Sequence, residues 1–232
     1  MELKTENIDT SSHTGGSTEK RQAWSDWAIK HFGEMKLAKT AGLFPKSEGW
    51  RNTVEHSMVV NALSMYIGRK MRELGNEIDL ETLDSGSMLH DIGKRRNKEL
   101  GVSRDDELTK GVAKKIIKDG GYSDDVARVA MYSGRVPEIY LSQSEQGEAV
   151  KNMPIEDLIS AYSDARVRNT NIVPLDVARD KNKEKVPADS AFYDKWYTFY
   201  SVVEQRIASL AGINAGDLDD KKIFEMVSSE KR

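Results

Sequence analysis

The stretch SMLHDIGK, residues 87–94, decides the fold expected for this chain. It places two metal-binding side chains, His90 and Asp91, side by side after an apolar helical segment. Because adjacent residues of a helix point about 100° apart, both can bind one ion only near a helix end. Gly93 is well placed to provide that end. A His-Asp pair is common by chance, so it indicates a site only where partner ligands exist.

Two further residues are candidate partners. His56 lies within the apolar stripe of a predicted helix, and Asp164 lies on a helix whose neighbouring positions are apolar or small. A carboxylate buried there destabilises the fold unless it is paired, protonated or bound to a metal. The alternatives are a core or surface role for His56 and an ion pair of Asp164 with Arg166 or Arg168. The small residues 85–87 are expected to let the His56 helix approach the His90 helix closely.

The composition narrows the class of protein. The 232 residues carry a formal net charge of −3, which gives no argument for nucleic-acid or membrane binding. Cysteine is absent, which excludes disulfides, thiolate zinc sites and cysteine nucleophiles. The sequence has no apolar stretch near the roughly 18 residues that a membrane span needs, and its N-terminus lacks a signal-like apolar run. We therefore expect a cytoplasmic protein.

Apolar periodicity predicts an all-α fold, with residues 1–17 as a disordered tail and residues 18–232 as one domain. No strand pattern of any length is visible, and residues 168–188 are polar enough to predict a surface loop. Helices are predicted over residues 18–36, 54–74, 107–118, 189–210 and 222–228, and the one at 189–210 is long and aromatic. Gly75 is the expected stop of the helix at 54–74. Three more helices are expected, two capped by Asp79 and Ser123 and one with Pro154 at its first position.

The set His56, His90-Asp91 and Asp164 resembles the H…HD…D signature of the HD-domain superfamily of metal-dependent phosphohydrolases. The run from Leu89 to Lys94 is similar to the most familiar form of the second motif. The resemblance covers about residues 50–170, so it implies an HD helical bundle with extra N-terminal and C-terminal helices. It also implies that His56, His90, Asp91 and Asp164 are the metal ligands.

The ligand set indicates the kind of metal. Two imidazoles and two carboxylates suit a divalent ion such as Mn, Fe, Co, Ni or Zn, with Mg as a further candidate. HD members with two metals add histidines between the second motif and the last aspartate, and no histidine follows His90 in this chain. We therefore expect one divalent metal ion, and the two-metal type of cyclic-dinucleotide phosphodiesterase is disfavoured.

The residues that bind the substrate are expected to be positively charged. The resemblance assigns Lys94 to the substrate phosphate, and Asp91 and Lys94 are the predicted catalytic residues. Arg95, Arg135 and Arg168 are further candidates for substrate binding, each with a surface or structural role as the alternative. No acid follows the HD pair closely, which disfavours one nucleotidase subtype, and no proton donor is identified.

The function implied is hydrolysis of a phosphomonoester or phosphodiester, most often a nucleotide in this superfamily, by metal-activated water. The partner is then a small phosphorylated substrate, and the 189–210 helix either packs on the core or forms a homodimer face. The main alternative is a non-catalytic HD scaffold that binds or senses a nucleotide. Two others are oxidative chemistry at a two-iron centre, for which the histidines are lacking, and a helical structural protein with coincidental residues.

Overall fold

The computed structural model describes residues 18–43, 51–101, 107–132 and 136–230, and these form an all-α bundle. The predicted tail, residues 1–17, and Arg135 lie outside the described residues. The helices are α1 Thr18–Lys30, α2 Phe32–Thr40, α3 Arg51–Glu73, α4 Leu80–Met88, α5 Lys94–Leu100, α6 Glu107–Asp119, α7 Asp124–Met131, α8 Gln143–Asn152, α9 Ile155–Arg166, α10 Leu175–Lys185, α11 Ser190–Ala211 and α12 Asp220–Ser229.

Three short 3-10 helices and one small hairpin complete the described chain. The 3-10 helices are Pro137–Tyr140, Pro187–Asp189 and Ala215–Asp217. The strands β1 (Val167–Arg168) and β2 (Asn171–Ile172) pair antiparallel, with Val167 opposite Ile172. Each strand has only two residues, so the predicted all-α class is confirmed.

Helix α3 forms the centre of the bundle. Its residues 57–65 are buried around the whole circumference of the helix, as expected for a helix enclosed by others. It contacts α4, α9, α11 and α12. The helix that carries His56 is therefore fixed by packing on several sides.

Local signals set several boundaries as predicted. Gly75 ends α3 with a φ of 83°, a left-handed conformation that glycine adopts without steric cost. The carboxylate of Asp79 accepts hydrogen bonds from the amides of Glu81 and Thr82 at the start of α4. Ser123 caps α7 in the same manner. These predictions are confirmed.

The prediction of a single helix over residues 18–36 is wrong, because the helix is interrupted at His31, between α1 and α2. The His31 side chain is buried, and its two ring nitrogens lie 2.8 Å from the carbonyl oxygen of Trp27 and 2.8 Å from Oδ1 of Asp84. Asp84 belongs to α4, so a contact distant in sequence accompanies the break. The apolar period of the segment carries no sign of that contact.

The surface loop predicted at 168–188 is also wrong. This segment contains part of the hairpin, all of α10 and part of a 3-10 helix. Only Leu175 and Ala178 of α10 are buried, so its apolar stripe is too narrow to be visible among the charged residues. Helices α5 and α8 were not predicted either, and Pro154 is the N-cap of α9 instead of its first residue.

Two expectations about α4 need correction. Helix α4 ends at Met88, and Gly93 is the N-cap of α5 rather than the end of α4. The small residue Gly86 faces α7, since a Cβ atom on it would lie 2.6 Å from Cβ of Val129. The contact between α4 and α3 is both apolar and polar: a Cβ atom on Gly68 of α3 would lie 2.7 Å from Leu83, and the Asn61 amide donates to the Ser87 hydroxyl at 3.1 Å.

The C-terminal helices are joined to α9 through Arg166, which is 1% exposed. Its guanidinium donates to the hydroxyl of Tyr162, the carboxylate of Glu204 and the carbonyl oxygens of Ala215 and Leu218. Arg166 therefore pairs with Glu204 and not with Asp164. Across the part of the chain that is described, none of the helices has the length and apolarity to cross a bilayer.

Candidate metal centre

His56 is held by α3 on one side and by the hairpin on the other. Its Nδ1 donates to the carbonyl oxygen of Asn169 at 3.0 Å, because a carbonyl oxygen can only accept. Asn169 lies in the turn between β1 and β2 with a φ of 56°, a conformation that asparagine tolerates better than most residues. The hairpin thus fixes the orientation of the His56 ring.

His90 lies in the turn between α4 and α5, and its side chain is fully buried. Its Nδ1 donates to the carbonyl oxygen of Ser87 at 2.8 Å. Its Nε2 has no hydrogen-bond partner among the described residues. A histidine that donates from one nitrogen to a backbone carbonyl and leaves the other without a hydrogen bond is arranged as metal-binding histidines usually are.

Asp164 on α9 lies between the two histidines. Its Oδ1 is 3.0 Å from Nε2 of His56 and 3.5 Å from Nε2 of His90. The ligand atoms of these three residues all lie within 4.8 Å of one another. We refer to His56, His90 and Asp164 as the ligand cluster. The cluster brings together α3, the turn after α4, and α9, which are remote in sequence.

The chemistry of these atoms fits a cation. Both histidines donate from Nδ1, so their neutral rings present Nε2 lone pairs to a carboxylate that also only accepts. One cation between them would satisfy all three groups. Protonating both rings instead would place two positive charges on rings whose centres are only 5.2 Å apart. The ligand cluster could therefore hold one divalent ion with nitrogen and oxygen ligands.

The electrostatics of the cluster favour positive charge. Burial opposes ionisation of Asp164, but the neighbouring His90 and His56 hold its pKa well below the usual range. Burial likewise disfavours protonation of His90, yet the charges on Asp91 and Asp164 raise its pKa overall. Protons and a metal ion would therefore compete for the same nitrogen atoms.

Asp91, the fourth predicted ligand, borders the ligand cluster. Its Oδ2 lies 3.8 Å from Nε2 of His90 and accepts a hydrogen bond from Nζ of Lys94 at 2.8 Å. The carboxylate is 5% exposed, whereas the lysine side chain is 37% exposed. Asp91 is thus close enough to neighbour the same ion, and its role as a ligand stays a prediction.

The predicted substrate residues occupy different settings. Lys94 lies beside Asp91, and Arg168 donates to the carbonyl oxygen of Val167 with its guanidinium 5.7 Å from the Trp196 ring centre. Arg95 donates to the carbonyl oxygen of Gly42 and pairs with Glu99. Arg135 lies outside the described residues. Substrate binding by these four residues stays a prediction.

Two residues were not predicted from the sequence. Asn169 orients His56 through its backbone, and Asn169-Thr170-Asn171 between Val167 and Ile172 was a weak turn signal. Glu138 accepts a hydrogen bond from the hydroxyl of Tyr132 at 3.0 Å, and its charge acts on the buried Tyr200, as does that of Asp164. No local pattern indicated that these residues converge, since they come from separate elements.

The class of protein follows from a comparison with known families. A family model described as the HD domain matches residues 53–169, about half of the 232 residues. The match spans the ligand cluster and Asp91. The chain therefore belongs to the HD-domain family, within the superfamily of metal-dependent phosphohydrolases, and this prediction from the sequence is confirmed. Searches of the curated proteins and of the solved structures found no match.

Proposed function

We propose that this protein hydrolyses a phosphomonoester or phosphodiester, with nucleotides as the substrate class, and depends on one divalent metal ion. The observation that carries the proposal is the buried Nε2 of His90, which faces Asp164 and has no hydrogen-bond partner among the described residues. His56, His90, Asp91 and Asp164 would hold the ion. Mn, Fe, Co, Ni and Zn suit these ligands best, and Mg is a further candidate.

A divalent ion in such a site activates water as a nucleophile and withdraws charge from the phosphoryl oxygens. The protein contributes the orientation of its ligands, through Asn169 for His56 and Ser87 for His90. Lys94 adds a positive charge 2.8 Å from the Asp91 carboxylate. An ammonium group there would stabilise negative charge that develops on a bound phosphoryl group. Asp91 and Lys94 are therefore the proposed catalytic residues.

The count of one ion is supported by the small number of histidines. The cluster uses His56 and His90, and the sequence has no histidine after His90. A second metal ion would need carboxylates alone from the later part of the chain. Arg95, Arg135 and Arg168 remain candidates for phosphate binding, and Arg95 has to release part of its bonding to Gly42 and Glu99 to take part.

The test is turnover by protein purified without chelator and reloaded with Mn, Co, Ni, Zn, Fe or Mg. Substrates are a panel of nucleoside monophosphates, diphosphates, triphosphates and cyclic nucleotides, with p-nitrophenyl phosphate and its bis-ester as generic probes. We expect metal-dependent release of phosphate or alcohol from at least one. Nucleotide binding by metal-loaded protein without any product would instead favour the non-catalytic HD scaffold.

Lys94→Ala tests the cationic side of the site. We expect kcat/KM to fall roughly 10- to 100-fold, because a hydrogen bond to a charged group contributes about 1.5–3 kcal/mol. Lys115→Ala is the matched control, since Lys115 is exposed and pairs with Asp119 on α6. Equal kcat/KM for both variants would remove Lys94 from the mechanism. The cytoplasmic location and a homodimer stay predictions, for which fractionation and sedimentation are the measurements.

A further inference from the structure

Helix α11 begins after the residues matched by the family model, yet it carries a buried tyrosine on which the charge of Asp164 acts. It packs against α3 and α9, the helices that carry His56 and Asp164. Tyr200 on this helix is 1% exposed. Its ring centre lies 4.9 Å from that of Trp196 and 5.2 Å from that of Phe199. The ring of Tyr200 is therefore fixed by packing.

The hydroxyl of Tyr200 differs from those of two other tyrosines in the bundle. Tyr132 donates to Glu138, and the fully buried Tyr162 donates to Glu204. Tyr200 has no hydrogen-bond partner among the described residues, although it is more than nine-tenths buried. A hydroxyl without a protein partner, on a residue this buried, is available to a ligand.

The charges around this hydroxyl belong to the candidate site. Burial raises the pKa of Tyr200, the negative charges of Asp164 and Glu138 raise it further, and Arg168 opposes them. The phenol thus stays protonated at neutral pH and is a hydrogen-bond donor. Arg168 is linked to Tyr200 through Trp196, since its guanidinium lies 5.7 Å from the Trp196 ring, which lies 4.9 Å from the Tyr200 ring. A hydrogen-bond donor and a cation in the same surroundings suit an anionic acceptor.

We propose that the hydroxyl of Tyr200 donates a hydrogen bond to an oxygen of the substrate's phosphoryl group. The inference rests on the proposed function, because it requires a phosphate group at the ligand cluster. It adds a contact from the part of the chain that follows the family domain. Tyr200 would then act in substrate binding and leave the metal ligands unchanged.

The test compares Tyr200→Phe with Tyr197→Phe in metal-loaded protein. Both changes remove one hydroxyl from α11, but Tyr197 is partly exposed and its ring faces Arg179 at 4.6 Å. Metal content is measured by mass spectrometry, and binding of inorganic phosphate by calorimetry. We expect Tyr200→Phe to keep its metal and thermal midpoint and to bind phosphate about tenfold more weakly. Tyr197→Phe should match the wild type in all three.

Turnover of p-nitrophenyl phosphate separates this inference from the proposed function. Weaker phosphate binding by Tyr200→Phe in a protein without turnover would support the contact and contradict the hydrolase. Unchanged phosphate binding in an active protein would overturn the contact and leave the hydrolase in place. Loss of metal in Tyr200→Phe, or no phosphate binding by the metal-loaded wild type, would also overturn the proposed contact.

Discussion

Nε2 of His56 lies 3.0 Å from Oδ1 of Asp164, while Nδ1 of the same ring donates to the carbonyl oxygen of Asn169. In its neutral form the ring would therefore turn a lone pair towards a carboxylate. His90 repeats the arrangement at 3.5 Å from the same oxygen. Two ring nitrogens and one carboxylate oxygen that face one another are stabilised by a positive charge between them. The predictions about metal binding depend on this arrangement.

Asp164→Asn should abolish metal binding without unfolding the protein. An amide has no negative charge, but its NH2 group can donate to Nε2 of His56. The wild type should gain about 2.7 kcal/mol when free metal exceeds its Kd 100-fold, and the variant should gain nothing. Metal analysis and thermal unfolding with and without Mn, Co, Ni or Zn are the measurements.

Asp157→Asn is the control for that variant. Asp157 is a second buried acid on α9, and it pairs with Arg128 instead of a histidine. This variant should lose stability but respond to metal as the wild type does. If Asp164→Asn is stabilised by metal as strongly as the wild type, the cluster is not the binding site.

Gly86→Ala should destabilise the protein by about 1–3 kcal/mol, the usual range for overpacking a core. The added methyl group would lie 2.6 Å from two carbon atoms of Val129, so α4 and α7 would have to separate. Gly111→Ala is the opposite case, because a Cβ at Gly111 meets nothing within 4 Å. It should stabilise α6 by about 0.5–1 kcal/mol. Urea unfolding of both variants measures the change in the free energy of unfolding. Changes of the same sign in the two variants would contradict the prediction.

Arg166→Met should lower the free energy of unfolding by about 3–5 kcal/mol, as expected when one partner of a buried ion pair is removed. The loss would leave the carbonyl oxygens of Ala215 and Leu218 without the guanidinium donor, and Glu204 would keep the Tyr162 hydroxyl but lose its charged partner. Arg72→Met, at an exposed position on α3, is the matched control. A similarly small loss in both variants would mean that water replaces the guanidinium at little cost.

Asp84→Asn should lower the free energy of unfolding at neutral pH and make that free energy depend less steeply on pH in the acid range. Burial opposes ionisation of Asp84, but hydrogen bonds from His31 and Asn61, and the charge of Lys30, hold its pKa below the usual range. A carboxyl with a lowered folded-state pKa stabilises the fold above its unfolded-state pKa. That contribution disappears as the pH falls through the lower, folded-state value.

Urea midpoints measured from about pH 5 downward should therefore fall less steeply in Asp84→Asn than in the wild type. Asp119→Asn provides the comparison, since Asp119 is exposed and pairs with Lys115 at the end of α6. Parallel profiles for Asp84→Asn and the wild type would show that other groups govern acid unfolding.

The sequence predicted those features whose causes are local. Asp79 and Ser123 are recognisable as caps because the bonded amides lie within three residues. Gly75 is recognisable because its conformation favours glycine. The motif residues could also be identified, because His56, His90-Asp91 and Asp164 match the signature of the HD-domain superfamily. These signals gave the fold class and the ligand cluster.

Features that depend on tertiary contacts could not be predicted in this way. The break at His31 accompanies a bond to Asp84 that is 53 residues away. Helix α10 buries only two residues, and the hairpin has too few residues to alternate. Tyr200 lies in an aromatic stripe whose other members are ordinary core residues, and only the packed structure places it near Asp164.

The bonding of Arg166 has a consequence for the order of events during synthesis. Asp164 and Arg166 leave the ribosome together, but Ala215 and Leu218 follow about 50 residues later. At about 5–20 residues per second, this interval lasts several seconds. During that time the guanidinium lacks the partners that allow it to be buried, so α9 cannot yet dock in its final position. The ligand cluster would thus be completed only after the C-terminal segment has been made.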